Sequence, residues 1–427
     1  MRKVSKWTLL IPLVLLVGVG WVVAQVGASA ERLDLPRVPW EGGPKYYAGY
    51  GAPAAAGWTD PAFFPIGVWF ESVLEERDIR LDKEAGLNTY IELTGNSNME
   101  LVRKHGMHAI TGKPLPGMGK ETVGYLITDE ADMFAGPGDG VWSGKFAGEG
   151  KPCIPDKPPC GYTAMRTLKD KLPKNDGRLH YANFGKGIAM WETDEQARKF
   201  VNSYTDAMST DIYWYTDANI CAEAEHFLGL PRDRCPRAAN YGRTVDRSRE
   251  LDAMDGRLQP VYAFIEVGWP GQNGRQAITP DQLGGAVMNA LIHEARGIVY
   301  FNHSFGGPCI SQHVLREPCN KDIRAAVTEL NRRIASLAPV LNTQSFAHTF
   351  ESRLDTMLKE HDGSYYVFAT VGEEAAPGSY ALRLPDALAS ATSAEVLFEN
   401  RTVPIRDGAV SDTFERLDSY HIYKITP

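Results

Sequence analysis

From residue 63 onward, short apolar runs alternate with longer stretches of helical periodicity. Phe63-Phe-Pro-Ile-Gly-Val-Trp69 is the first run with strand character, apolar and bounded by turn residues. The pattern then predicts a helix over 75–85 and a strand over 87–93, followed by a helix over 99–105 and strands over 107–111 and 123–130. A loop rich in Gly and Pro over 131–162 leads to a helix at 164–171 and a strand at 179–184. Helix 194–207, strand 211–215, helix 247–254 and strand 260–267 come next. Helix 280–295, strand 297–302 and helix 321–336 close the series.

Eight strands alternating with helices over about 275 residues match the size of a (β/α)8 barrel. A doubly wound open sheet is the competing α/β fold. It usually needs fewer units, and Trp69-Phe-Glu-Ser72 after the first strand is no Gly-rich nucleotide turn. After residue 342 the helical period stops. Runs of strand type near 365–370, 379–384, 394–398 and 421–425 are separated by Asp-Gly and Pro-Gly turn signals. The expected fold is therefore a TIM barrel over 61–342 followed by a small antiparallel β-sandwich over 343–427. Residues 31–60, rich in Pro, Gly and Ala, are expected to link to the barrel or wrap over it.

The N-terminus differs in kind. Arg2, Lys3 and Lys6 precede an uncharged run over 7–24, and Ala28-Ser29-Ala30 supplies a small-residue cleavage site. That is the layout of a secretory signal peptide over 1–30. An uncleaved anchor stays open, since roughly 18 apolar residues can just span a bilayer. Cleavage would remove three cations and no acids, so the net charge of −8 would become −11. Such a surface argues against nucleic acid and against anionic membranes as partners of the mature chain.

The cysteines fall as close pairs, 153 with 160, 221 with 235 and 309 with 319, each within a long loop after a strand. Nearest-neighbour disulfides are the simplest of the 15 connectivities that six cysteines allow. There is no Cys-x-x-Cys and no His at ligand spacing beside them, so neither a metal nor another cofactor is expected.

In a barrel, strand C-terminal ends gather on the face where active sites form. Val123-Gly-Tyr-Leu-Ile-Thr-Asp-Glu130 and Pro260-Val-Tyr-Ala-Phe-Ile-Glu266 both end on acid. Glycosidic bond cleavage needs two carboxyls, one to protonate the leaving oxygen and one to attack the sugar or activate water. Glu130 and Glu266 are thus the candidate catalytic pair. The plainer alternatives are a helix-capping acid for Glu130 and a salt-bridged structural acid for Glu266. Glu71 and Glu92 end earlier strands, and Asp129 and Asp217 lie beside others. Trp69, Tyr125, Trp214 and Trp269 are candidate platforms for sugar rings, with Trp269 in a Gly/Pro turn just past Glu266. Asn302 and His303 could add hydrogen bonds.

Tyr125-Leu-Ile-Thr-Asp-Glu130 and Ala263-Phe-Ile-Glu-Val267, joined to a C-terminal β-domain, resemble the clan of retaining glycoside hydrolases built on (β/α)8 barrels. The resemblance implies that Glu130, ending the fourth strand, is the general acid/base and Glu266, ending the seventh, the nucleophile. A poly- or oligosaccharide substrate follows from it, and with the N-terminal signal pattern the enzyme is expected to be secreted. Two positions depart from the clan pattern. Asp129 stands where an asparagine usually precedes the acid/base, and Phe301-Asn-His303 stands where the eighth strand often ends in tryptophan. Two rival classes remain: a carbohydrate-binding or cell-surface protein on a hydrolase-like barrel, and a barrel enzyme of another chemistry. The second would show clustered His and Asp at strand ends, where only His303 qualifies.

Overall fold

The computed structural model describes residues 33–39, 41–133, 161–271 and 277–427. The expected signal peptide and the pair Cys153 and Cys160 lie outside these residues. Eight parallel strands form a closed barrel in sequence order, β1 (Ile66–Glu71), β2 (Thr89–Leu93), β3 (His108–Thr111), β4 (Thr122–Asp129), β5 (Leu179–Phe184), β6 (Ala207–Thr210), β7 (Val261–Glu266) and β8 (Gly297–Phe301). Pairing of β1 with β8, Gly67 opposite Val299, closes it.

The pleat sorts side chains into two layers. Ile91, Ile110, Leu126, Leu179, Tyr181, Tyr262, Phe264 and Val299 fill the barrel interior. Val68, Tyr90, Tyr125, Ala182, Met208, Ile265 and Tyr300 instead join the layer shared with the helices. The segment before β1 is more than a linker. It forms two short helices, α1 (Gly43–Tyr47) and α2 (Gly51–Ala55), and sends Tyr47 and Trp58 into the interior core. The Tyr47 hydroxyl lies 2.6 Å from that of Tyr262 at the start of β7, so this segment plugs the N-terminal end of the barrel.

The outer helices are α3 (Glu76–Glu84), α4 (Met99–Lys104), α5 (Gly161–Lys171), α6 (Asp194–Tyr204), α7 (Ile220–Leu228), α8 (Ala239–Ala253), α9 (Pro280–Ile292) and α10 (Lys321–Leu341). Local chemistry sets their starts. Thr193 with Gln196, and Thr279 with Gln282, close capping boxes on α6 and α9, and Asn98 caps α4. No helix separates β3 from β4, so the third unit lacks one. Helix α8 begins eight residues before the expected 247, and Gly242 in that early part has a packing reason. A Cβ there would sit 2.2 Å from both Asn289 Oδ1 and the His293 ring.

The sixth strand is also displaced from expectation. Ile212-Tyr-Trp-Tyr215 has strand propensity, yet β6 is Ala207–Thr210 and the aromatic run lies in the turns beyond it. Packing overrides propensity here. The Asp211 N–H still donates to Phe184 O at 2.8 Å, after which the chain turns so that Trp214 enters the helix-facing core.

The C-terminal part is a seven-stranded antiparallel sheet, β9 (Asp355–His361), β10 (Ser364–Thr370), β11 (Gly378–Arg383), β12 (Ser393–Val396), β13 (Arg401–Arg406), β14 (Ala409–Phe414) and β15 (Tyr420–Ile425). Its order is β11-β14-β13-β12-β15-β10-β9. Strand β13 pairs with β12 along one part and with β14 at its end, so the sheet folds over its own core of Leu358, Val367, Leu382, Val403 and Val410. Polar contacts join it to the barrel: Asn289 Nδ2 donates to Asp355 Oδ2 at 2.8 Å, and His293 lies between Asp246 and Asp355. The pairs Cys221–Cys235 and Cys309–Cys319 are disulfides, as expected. Among the described residues, no helix is long and apolar enough to cross a membrane.

Candidate active site

The C-terminal ends of β1, β2 and β4 share an uncommon backbone. Phe70, Glu92 and Glu130 take φ of 45°, 65° and 47°, a left-handed region that non-glycine residues seldom occupy. Three such residues on one rim mark it as a place where side-chain direction matters more than backbone ease.

Glu130 follows the last residue of β4. Its N–H donates to Asn183 O at 2.9 Å, tying it to the end of β5. Its carboxyl lies against Gly185, where a Cβ would come within 3.2 Å of Oε1. Other acids surround it. Asp129 accepts from Asn183 Nδ2 at 2.9 Å. Asp132 is fully buried and holds the turn after β5 through the N–H groups of Gly185 and Ile188. Asp211, just past β6, is buried nearby and accepts from the Tyr213 hydroxyl at 2.9 Å. Burial pushes the Glu130 carboxyl above the usual carboxylate range, and the charges of Asp129 and Asp132 push it further.

Glu266 ends β7 with no solvent exposure. The Tyr241 hydroxyl donates to its Oε2 at 2.5 Å and the Tyr215 N–H to its Oε1 at 3.1 Å. Burial raises its carboxyl to about 7, while these donors and the Thr216 N–H pull the other way. Glu92 stays half-buried at the mouth. It accepts from its neighbour Leu93 N–H at 3.0 Å, and Asp129 is close enough to add to the upward shift that burial gives it.

Several sequence candidates do other work. Tyr125 points into the helix-facing layer, and its hydroxyl donates to Asp176 Oδ2 at 2.9 Å, in the turn leading into β5 at the far end of the barrel. Trp214 is buried, its Nε1 donating to Thr244 Oγ1 of α8 at 2.9 Å. Glu71 is sealed in a network with Asn302, His313 and Arg316. Asn302 is used up there, since its Oδ1 also accepts from Leu315 N–H at 2.8 Å. Asp217 accepts from Lys186 Nζ at 2.6 Å and from Asn219 N–H at 2.9 Å. For Tyr125 the reason is alternation: half of a strand's side chains face away from the axis, and the sequence does not say which half.

Trp69, Trp269 and His303 remain at the mouth. Trp69 is buried edge-on to Phe264, and the ring contacts continue through Phe301 to Tyr213, flooring the interior beneath the strand ends. Trp269 packs its ring against Gly307, where a Cβ would be 1.8 Å from it, so only glycine fits there. His303 donates from Nε2 to Phe70 O at 3.1 Å and sits 5.8 Å from the rings of both Phe70 and Phe305. Phe70 and Phe305 are 37% and 39% exposed, so this rim presents open aromatic faces. Sequence reasoning missed both, together with Asp132, Asp211 and Tyr241. Only Asp211 carried a signal, an acid directly beside an aromatic run.

Among the described residues, no group of three or more His, Cys, Asp or Glu is arranged to hold a metal ion. Cavities of about 560 and 500 Å3 lie elsewhere, one between α9, α10 and the C-terminal sheet and one beside α8. The first is lined by charges that already pair, such as Arg401 with Glu399 and Asp412, so we place the site at the strand ends.

No protein-family model matches the chain, and no curated protein sequence does. Solved structures align with it at low similarity. An α-amylase of Anoxybacillus covers 84% of this chain and 98% of its own, at 10% identity and a TM-score of 0.42. A glycoside hydrolase family 30 endoxylanase of Clostridium papyrosolvens covers 86% and 97%, at 8% identity and a TM-score of 0.43. A family 51 α-L-arabinofuranosidase of Bifidobacterium longum covers 86% and 96%, at 12% identity and a TM-score of 0.44.

Proposed function

We propose that the chain is a secreted glycoside hydrolase that cleaves O-glycosidic bonds of a poly- or oligosaccharide by double displacement with retention. The observation that carries this reading is the Glu130 carboxyl, set at the barrel mouth on a left-handed backbone and kept protonated by burial among other acids. A general acid needs that protonation state at neutral pH. Glu266 ends β7 and would be the nucleophile, its negative charge held by Tyr241 and by peptide N–H groups. Glu130 protonates the departing oxygen as Glu266 attacks the anomeric carbon. It then takes a proton from the water that releases the sugar. Phe70 and Phe305 offer the faces on which sugar rings stack, with His303 between them. Disulfides and the N-terminal signal pattern support secretion.

One observation favours a second reading. A nucleophile must reach its substrate, and Glu266 is closed to solvent with both oxygens served. On that ground the chain is a non-catalytic carbohydrate-binding protein on a hydrolase-like barrel. Screening the chain against bacterial and plant polysaccharides, with Glu266→Gln as the blank, separates the two. Reducing sugar released by the native chain alone supports the hydrolase. Binding to a polysaccharide without any release supports the binding protein.

A further inference from the structure

We propose that the barrel mouth takes a glycan whose sugars carry protonated amino groups, a polymer or oligomer of glucosamine type, with Asp129 holding the ammonium and Asp211 behind it; this rests on reading the mouth as a glycan site. Three neighbouring strand ends bring the acids together. Asp129, the last residue of β4, stands in register with Asn183 of β5, and Asn183 with Ser209 of β6. Asn183 Nδ2 donates to Asp129 Oδ1 at 2.9 Å, and Ser209 Oγ donates to Asn183 Oδ1 at 2.5 Å. Thr210 turns the other way, its hydroxyl 2.9 Å from that of Ser248 on α8. Asp211 is two residues past Ser209 and returns to the inner face. Tyr213, whose hydroxyl donates to Asp211 Oδ2 at 2.9 Å, packs on Phe301 of the interior core. The Asp211 N–H donates to Phe184 O at 2.8 Å, next to the Gly185 against which the Glu130 carboxyl lies.

The chain leaves this charge uncompensated. Lys186, just past β5, is taken, its Nζ donating to Asp217 Oδ2 at 2.6 Å and to Glu223 Oε1 at 2.9 Å. Asp129 is exposed and so open to a ligand. Asp211 is 6% exposed, and its Oδ1 is buried with no hydrogen-bond partner among the described residues. A buried carboxylate oxygen without a donor is costly, and a cation seated at the mouth in front of it reduces that cost. Burial raises the carboxyls of Asp129, Glu130 and Asp211 alike, in keeping with acids that no cation of the chain serves. A metal ion does not fit, because among the described residues no three His, Cys, Asp or Glu are arranged to hold one. A molecular cation does. The open rings of Phe70 and Phe305 suit the apolar face of a sugar, which makes the cation an amino sugar rather than a flexible amine. An ionised Asp129 only accepts hydrogen bonds and an ammonium only donates them, so the two match, and acetylation of the amine ends the match.

The test is calorimetric titration of the full chain with oligosaccharides of glucosamine, N-acetylglucosamine and glucose that share one linkage and length, and with spermine as a flexible polyamine. The glucosamine oligomer should bind at least roughly 10-fold tighter than the other two sugars, the worth of one hydrogen bond to a charged group. Asp129→Asn should cut that preference to less than about threefold, and Asp211→Asn should move it the same way. A variant that is merely loosened loses the sugars together and keeps the ratio, and the native comparison stands even if neither variant folds. Equal binding of the three sugars by the native chain, or spermine bound as tightly as the glucosamine oligomer, overturns the proposal. Reducing ends released from a neutral polysaccharide without any such preference overturn it too and leave the hydrolase reading standing. The preference without release from any sugar supports the amino-sugar site and sinks hydrolysis.

Discussion

The Tyr241 hydroxyl donates to Oε2 of Glu266 at 2.5 Å across the gap between α8 and the end of β7. It fixes the carboxyl's direction and favours its ionised form. Tyr241→Phe keeps the ring that stacks 5.8 Å from Tyr215 and removes only the donor. A hydrogen bond to a charged group is worth about 1.5–3 kcal/mol, so kcat/KM should fall roughly 10- to 100-fold. The acid limb of the pH profile should move up, because Glu266 then ionises later. Steady-state kinetics from pH 4 to 9 check both.

The open rings at the mouth should act in binding rather than in bond breaking. Phe70→Ala and Phe305→Ala should each raise KM by roughly 2- to 10-fold, the equivalent of about 0.5–1.5 kcal/mol of lost ring stacking. Values of kcat should change little. Equal loss in kcat from either substitution would assign that ring to the reacting centre.

The joint between barrel and sheet should make stability depend on pH. Burial disfavours the charge on His293, but Asp246 and Asp355 outweigh it and push the imidazole from 6.5 to about 10. A base whose pKa is raised in the folded state adds stability that is complete below its unfolded value. That stability should fade as pH rises from about 6.5 to about 10. His293→Gln should cost ~1–3 kcal/mol at pH 6 and much less at pH 10. Melting curves of both proteins at the two pH values give the comparison.

The barrel was legible because each strand is a short apolar run between helical stretches, and the two strongest, those ending at Glu130 and Glu266, fell within a residue of the observed β4 and β7. Misplacement came where packing outweighed propensity. Ile212-Tyr-Trp-Tyr215 has the composition of a strand, whereas the plain Ala207-Met-Ser-Thr210 forms one. Strands β9, β13 and β14 were hidden by charge, and β13 also by Pro404, which lacks the N–H a ladder uses. Within the site, strand ends could be located but side-chain direction could not. Trp69 and Tyr125 both looked like rim aromatics; one floors the mouth and the other bonds Asp176 at the opposite end. Asp211 and Tyr241 come to the sites of Glu130 and Glu266 only through the closure of the barrel.

The central claim is that Glu266 is the nucleophile, and one comparison bears on it most directly. Turnover of Glu266→Gln should be measured against the native chain on the polysaccharide that the native chain hydrolyses, with melting curves showing that both are folded. Removing a nucleophile leaves only binding and electrostatic assistance, so a loss of at least about 10⁴-fold in kcat is predicted. A folded Glu266→Gln protein that turns over within tenfold of the native rate would contradict the account.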